Sequence, residues 1–313
     1  MKKWLILFFL LVSPLFAGSK VILKVFHAGS LSIPFREMKE EFEEKHPEVE
    51  VRLEPSGSVL AIRKITDLHK SADVVAVADY SLIEKMLFPT YADRVYIFGA
   101  NEMVLAFSDH SKYHRLINER NWYEILSMPG VKWGFSNPLL DPCGYSTLVT
   151  IALAEEYYRK KIFSELVSPF LNVTFSGRKI LLPSEIKLKG RKVYMRPKAV
   201  ELLGLIESGF LDYIFEYRSV AMQHRLKFLK LPEEINLSSL KFRKYYSGVK
   251  ILFPSGKIIS GKPILYGISP LLNAPHPHWA REWVKFVTGK RGAEIMERNF
   301  QKSIYPPVVE KAR

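Results

Sequence analysis

Apolar and polar positions recur along this chain in two rhythms, and the switches between them set the predicted elements. Val21 to Phe26 is apolar except for Lys24, which predicts a buried strand over 21–26. From Leu31 the period lengthens. Leu31, Phe35, Met38 and Phe42 recur at spacings of four, three and four, while Glu37, Lys39, Glu40, Glu43 and Glu44 fill the other face. This predicts an amphipathic helix over 31–46, with Pro34 in the first turn, where its missing N–H does no harm. The unit then repeats. A strand over 49–53 leads to a helix over 59–68, and an apolar strand over 72–79 leads to a helix over 80–87. Alternating strand–helix units predict a parallel sheet covered on both faces.

Beyond residue 101 the rhythm changes. Strands are predicted over 102–108, 131–136 and 211–217, and helices over 122–128, 145–158 and 196–208. The stretch 175–190 is basic and irregular. Two β-rich stretches, 249–253 and 262–268, precede a long amphipathic helix over 278–298 whose apolar face carries Trp279, Trp283, Phe286 and Val287. No repeat of solenoid period is present. A chain of 313 residues favours two α/β units over one.

The N-terminus stands apart. Lys2 and Lys3 precede an apolar run from Trp4 to Val12, too short to span a bilayer comfortably, and small residues follow at Ala17, Gly18 and Ser19. This predicts a signal peptide over 1–18 and an exported protein, extracellular or periplasmic; an uncleaved membrane anchor is the alternative. No cysteine lies near the cleavage site. Cys143 is the single cysteine, so the exported fold stands without an internal disulfide. The net charge of +14 is dispersed in short clusters such as Arg159, Lys160 and Lys161. It fits a solvated basic surface that attracts small anions, and export argues against nucleic acid as a partner.

Two strand-to-helix junctions carry the chemistry. His27-Ala28-Gly29-Ser30-Leu31 joins the first strand to its helix, and Ser56-Gly57-Ser58 does the same at the second. Each places hydroxyls beside the unpaired N–H groups of a helix start, which is where anions bind. Each serine is equally a candidate N-cap for its own helix. In open α/β sheets ligands bind beyond the carboxyl ends of strands. Ser30, Ser58, Asp79, residues 136–141 and Tyr217 all lie there and would line one cleft if two lobes face each other. Asp141, in Asp141-Pro142-Cys143-Gly144, reads as a turn residue or a ligand. Cys143 reads as a reactive thiol or a small buried side chain. Tyr217 reads as a hydroxyl donor or a packed ring, and Arg218 as an anion clamp or the partner of a carboxylate. The eight histidines lack metal-binding spacing, and no G-x-S-x-G, Walker loop or H-E-x-x-H is present. The chain therefore reads as a binding protein rather than an enzyme.

Several motifs together resemble the archaeal-type tungstate/molybdate-binding proteins of ABC transporters. They are His27 to Phe35, Ala72 to Ile83, Asn137-Pro138 to Tyr145, Asp212-Tyr213 to Ala221 with Gln223-His224, and Gly261-Lys262-Pro263-Ile264 to Ile268. They follow in order along nearly the whole mature chain. The resemblance implies a type II periplasmic-binding fold, two α/β lobes joined by two crossing strands with the ligand cleft between. The lobes are expected at 19–101 with 246–313, and at 102–245. It implies a tungstate or molybdate ligand with no cofactor, and a monomer that serves an ABC permease and its ATPase. It implies oxyanion contacts at Gly29, Ser30, Ser58, Asp141, Pro142, Cys143 and Tyr217, with Asp141 reaching the metal itself. The family's second metal-binding carboxylate falls at Ala199, which has none to offer. Glu201 and Glu216 are the substitutes considered. Two residues along a helix turn the side chain by about 200°, so Glu201 would face away. The expected consequence is weaker or altered six-coordination, or else a four-coordinate anion held by hydrogen bonds. Rival readings are a receptor of the same fold for sulfate, thiosulfate or phosphate, and an anion sensor without a transport role.

Overall fold

A computed structural model describes residues 20–312, so the expected signal peptide lies outside the described residues. The first apolar segments pair side by side. Val21–Ala28 lies between Val49–Ser56 and Val74–Val77 and runs parallel to both. Val74–Val77 is buried at every position, as the continuous apolar run requires. The sheet does not stay parallel. Ile264–Pro270 enters antiparallel between Val74–Val77 and Arg94–Asn101, and Lys302–Lys311 adds an antiparallel edge. The all-parallel expectation fails because the chain leaves this sheet at Asn101 and returns from another one, in the opposite direction. The edge strand carries Pro306 and Pro307, which hid it from a pattern of alternating apolar residues.

One face of this six-stranded sheet is covered by Ser32–Lys45. Its residues Phe35, Met38 and Phe42 are at most 1% exposed. Phe35 and Phe42 meet Trp283 edge-on, with ring centroids 5.9 and 5.2 Å apart. Trp283 and Val287 lie on Pro277–Thr288, and Ile295 and Met296 on Lys290–Arg298. The single closing helix predicted over 278–298 is thus two. Gly289 breaks it with an extended backbone (φ −81°, ψ 177°), a conformation that ends the ladder at a residue of poor helix propensity.

A second sheet of five strands runs in the order Lys227–Lys230, Met103–Phe107, Tyr213–Tyr217, Trp133–Ser136, Val193–Arg196. Only Glu102 separates the last strand of the first excursion, Arg94–Asn101, from Met103–Phe107, so the chain crosses between sheets there. Pro142–Tyr158 packs on this second sheet. Every residue from Pro142 to Ala154 is buried, the property of a helix that is apolar all round.

A small third sheet orders Ile258–Ser260, Lys250–Leu252, Lys179–Leu181 and Thr174–Ser176. The last two fall in the stretch expected to be irregular; three-residue strands are too short to show periodicity. Their pairing with Lys250–Leu252 ties 250–260 to 174–181, so the expected boundary at 245/246 falls just before a segment hydrogen-bonded to the middle of the chain. The predicted helix 196–208 is also replaced. Val193–Arg196 is a strand, Ala199–Leu202 a 3-10 turn, and only Leu203–Glu207 is α-helical. Pro197 explains this, because proline drives the residue before it out of the helical region.

Candidate functional site

Three helix starts converge where the two larger sheets meet. Gly29–Leu31 is a 3-10 turn at the end of Val21–Ala28 that runs on into Ser32–Lys45, and no side chain caps it. Ser58–Thr66 and Pro142–Tyr158 also begin without a side-chain cap. Pro142 has no N–H to offer, and the Gly144 N–H donates to the Asp141 carbonyl at 3.0 Å. The sheets are drawn together here: Val59 N–H and Leu60 N–H both donate to the Leu140 carbonyl, at 3.1 and 3.4 Å. Beside this contact lies a small cavity of about 10 Å³. Ala28, Gly29 and Ser30 line it from the six-stranded side; Asp141, Cys143, Lys198, Ala199, Val200, Glu216 and Tyr217 line it from the other.

Most of its polar groups are buried. Asp141 occupies the N-cap position of Pro142–Tyr158 yet does not cap it; its Oδ2 accepts the Ala199 N–H at 2.9 Å. Burial pushes its pKa up to about 6, against the pull of that N–H. Glu216 is fully buried, its Oε1 accepting the Tyr217 N–H at 2.7 Å and the Cys143 thiol at 3.8 Å. Its Oε2 has no partner, and burial pushes its pKa up to about 8. The Tyr217 hydroxyl is likewise buried without a partner. Burial, then the neighbouring Glu216, raise the Cys143 thiol well above its ordinary value, so it stays protonated and unreactive. Lys198 contributes a cation at the rim, with its Nζ 3.8 Å from Glu201 Oε1.

The structure brings Gly29, Ser30, Asp141, Cys143, Glu216 and Tyr217 to one cavity and leaves other candidates outside its lining. Ser58 is fully buried next to it, with its Oγ accepting the Ala78 N–H at 3.0 Å. Pro142 lines a neighbouring cavity with Asp79 and Tyr145. Glu201 turns to Lys198 and does not line the cavity. Asp79 is spent on structure: it accepts from the Tyr145 hydroxyl at 2.5 Å and pairs with Lys262. Burial alone would raise its pKa, but Lys262 and the hydrogen bonds hold it below the ordinary value. Arg218 pairs with Glu102, Nε to Oε1 at 3.3 Å. Sequence reasoning missed Ala28, Lys198 and Val200. The signal for Lys198 was present in its place next to Ala199.

The two raised carboxyl groups predict a pH dependence. A carboxyl whose folded pKa lies above its unfolded value binds more protons when folded, so its stabilising effect is present at low pH and is lost as pH rises through the folded pKa. The unliganded protein is expected to melt at progressively lower temperature as pH rises from about 4 to about 8, the window set by Asp141 and Glu216. Glu216→Gln should flatten the upper part of that slope in a calorimetric pH series. An unchanged slope would show that Glu216 does not titrate in this window.

Two α/β sheets that meet over a closed polar cavity, with donors entering from both sides, define a two-lobed ligand-binding protein. The chain belongs to the bacterial extracellular solute-binding proteins, whose family profile matches residues 23–300. It is 46% identical over 292 residues to the molybdate/tungstate-binding protein WtpA of Thermococcus kodakarensis, covering 91% of this chain and 82% of that one. It is 47% identical over 293 residues to the WtpA of Pyrococcus abyssi, covering 91% and 85%. Among solved structures, the Azotobacter vinelandii periplasmic molybdate-binding protein superposes with a TM-score of 0.62 at 14% identity, over 91% of this chain and 99% of that one. The sulfate-binding protein SubI of Mycobacterium tuberculosis superposes with a TM-score of 0.65 at 12% identity, over 91% and 88%. At such identities the structural likeness speaks for the fold alone, which is the type II periplasmic-binding fold.

Proposed function

We propose that this chain is an extracytoplasmic receptor that captures tungstate or molybdate and hands it to an ABC permease driven by its ATPase. One observation carries the site: Ser30 and the unpartnered Tyr217 hydroxyl reach a single closed cavity from opposite sheets. Hydroxyl donors, uncapped helix starts and Lys198 suit an oxyanion. The two WtpA relatives, matched over most of their length, favour molybdate and tungstate among oxyanions. The one thiol at the cavity is held protonated and supplies no nucleophile.

In this reading Gly29, Ser30 and Tyr217 contact the oxo groups and Asp141 approaches the metal centre. Ser58 and Pro142 support the helix starts from behind. Ala199 offers only a backbone N–H, which Asp141 already occupies. Glu216, not Glu201, is the other carboxyl group at the cavity, and the anion is held chiefly by hydrogen bonds. The lobes divide at Glu102, and the small sheet containing 250–260 belongs with 102–245. The protein acts as an exported monomer, held at the membrane through the permease or an uncleaved signal anchor. Among the described residues no helix is long and apolar enough to cross a membrane.

Calorimetric titration of the mature chain with tungstate, molybdate, sulfate and phosphate tests this. Tight one-to-one binding of tungstate or molybdate, with sulfate silent, is the expected result. Asp141→Ala should then weaken binding about tenfold, because it removes the carboxyl group that approaches the metal centre. Preferred binding of sulfate or phosphate would move the ligand and sink the proposal.

A further inference from the structure

The hydroxyl of Ser30 does not choose its own hydrogen-bonding role. Its Oγ lies 3.0 Å from the Tyr266 hydroxyl. Tyr266 in turn lies 2.9 Å from Asn101 Nδ2, and that same amide nitrogen is 2.7 Å from Ser219 Oγ. The other end of the amide is settled by backbone donors: Asn101 Oδ1 accepts the Glu102 N–H at 3.0 Å and the Ser219 N–H at 3.4 Å. A flipped amide would set its NH₂ against two N–H groups and forfeit both of those bonds. The orientation of Asn101 is therefore determined by its surroundings.

From there the direction propagates. Asn101 Nδ2 donates to the Tyr266 oxygen, so the single tyrosine hydrogen is free to go elsewhere, and it goes to Ser30 Oγ. Ser30, now accepting, turns its own hydrogen away from Tyr266. Among the described residues no acceptor takes that hydrogen, and Ser30 lines the cavity. Asn101, Tyr266 and Ser219 are all buried, so water does not scramble the chain. Ser58 shows the same polarity by a simpler route, its Oγ filled by the backbone N–H of Ala78.

Resting on the oxyanion reading above, we propose that Asn101 and Tyr266 are positioning residues that lock Ser30 as a hydrogen-bond donor toward the bound oxyanion. A tungstate or molybdate dianion presents only acceptors near neutral pH. The hydrogen that Ser30 turns away from Tyr266 is the one such an acceptor would take. The relay also spans the lobes. Asn101 ends Arg94–Asn101 in one sheet, while Ser219 lies on Arg218–Gln223, directly after Tyr213–Tyr217 of the other. The donor lock is thus complete only when these two elements are in contact.

The test is a calorimetric titration of tungstate near neutral pH, using the full mature chain. Tyr266→Phe removes the donor to Ser30, and Asn101→Asp accepts from Tyr266 and so turns its hydrogen away from Ser30. Each is expected to weaken tungstate about tenfold. A double-mutant cycle with Ser30→Ala separates positioning from mere packing. If Tyr266 acts through Ser30, Tyr266→Phe should have little further effect once Ser30 is alanine. Unchanged tungstate affinity in both variants, or fully additive losses in the cycle, would overturn the inference while leaving the receptor reading intact. Failure of the unaltered chain to bind tungstate or molybdate would overturn both.

Discussion

Gly57→Ala is expected to weaken tungstate binding about a hundredfold while leaving the melting temperature of the unliganded protein nearly unchanged. The reason is space and not backbone freedom, since Gly57 has φ −64°, which alanine adopts without strain. A Cβ there would sit 2.5 Å from the Leu140 carbonyl oxygen and 3.2 Å from Asp141 Cβ. Those atoms follow Trp133–Ser136 of the five-stranded sheet, whereas Gly57 follows Val49–Ser56 of the six-stranded one. The methyl group would push apart the two sides that the Val59 and Leu60 N–H groups hold together through Leu140. Overpacking against backbone costs about 2–3 kcal/mol, which is roughly a hundredfold in affinity. With the lobes apart the clash disappears, so the penalty falls on ligand-bound closure and spares the fold. Calorimetric affinity beside a thermal melt without ligand checks both halves. Undiminished affinity would mean that binding does not require this contact.

Gly144→Ala should do the opposite, destabilising the chain whether or not ligand is present. Gly144 lies in the first turn of Pro142–Tyr158, and a Cβ would stand 2.2 Å from the Ser136 carbonyl oxygen and 2.8 Å from Pro138 N. Both are backbone atoms of the same lobe, so no opening relieves the contact. Alanine gains about 1 kcal/mol in helix propensity over glycine. The steric term is larger, about 3 kcal/mol or more for a backbone that must shift in a fully packed region. The net expectation is a fall in melting temperature of several degrees, about 5 °C. Because Asp141 and Cys143 lie on the same turn, the surviving folded protein should also bind more weakly. A melting temperature equal to or above that of the parent would show that the helix can move off Ser136 at little cost.

Much of this was legible from one dimension. The strand–helix junctions at Gly29-Ser30 and Gly57-Ser58, the apolar stripe of Phe35, Met38 and Phe42, and the family resemblance needed no coordinates. Periodicity reports burial only for segments long enough to repeat. It therefore missed the three-residue strands at 174–181 and the proline-bearing edge strand Lys302–Lys311, and it ran one helix through Gly289. It also took the early parallel pattern for the whole sheet, because the direction in which a distant strand returns leaves no mark on local sequence.

The sequence by itself determined the class of architecture and where the strand–helix junctions fall, since each depends on residue type and near neighbours. Only the tertiary structure decided which candidates share a cavity. It set Ser58, Pro142 and Glu201 outside the lining and Glu216 and Lys198 within it. It raised Asp141 and Glu216 by burying both at one place. And it gave Ser30 its polarity through Tyr266 and Asn101, 236 and 71 positions away along the chain. Burial and hydrogen-bond direction are properties of what surrounds a group, and those surroundings come from segments that meet only when the chain is folded.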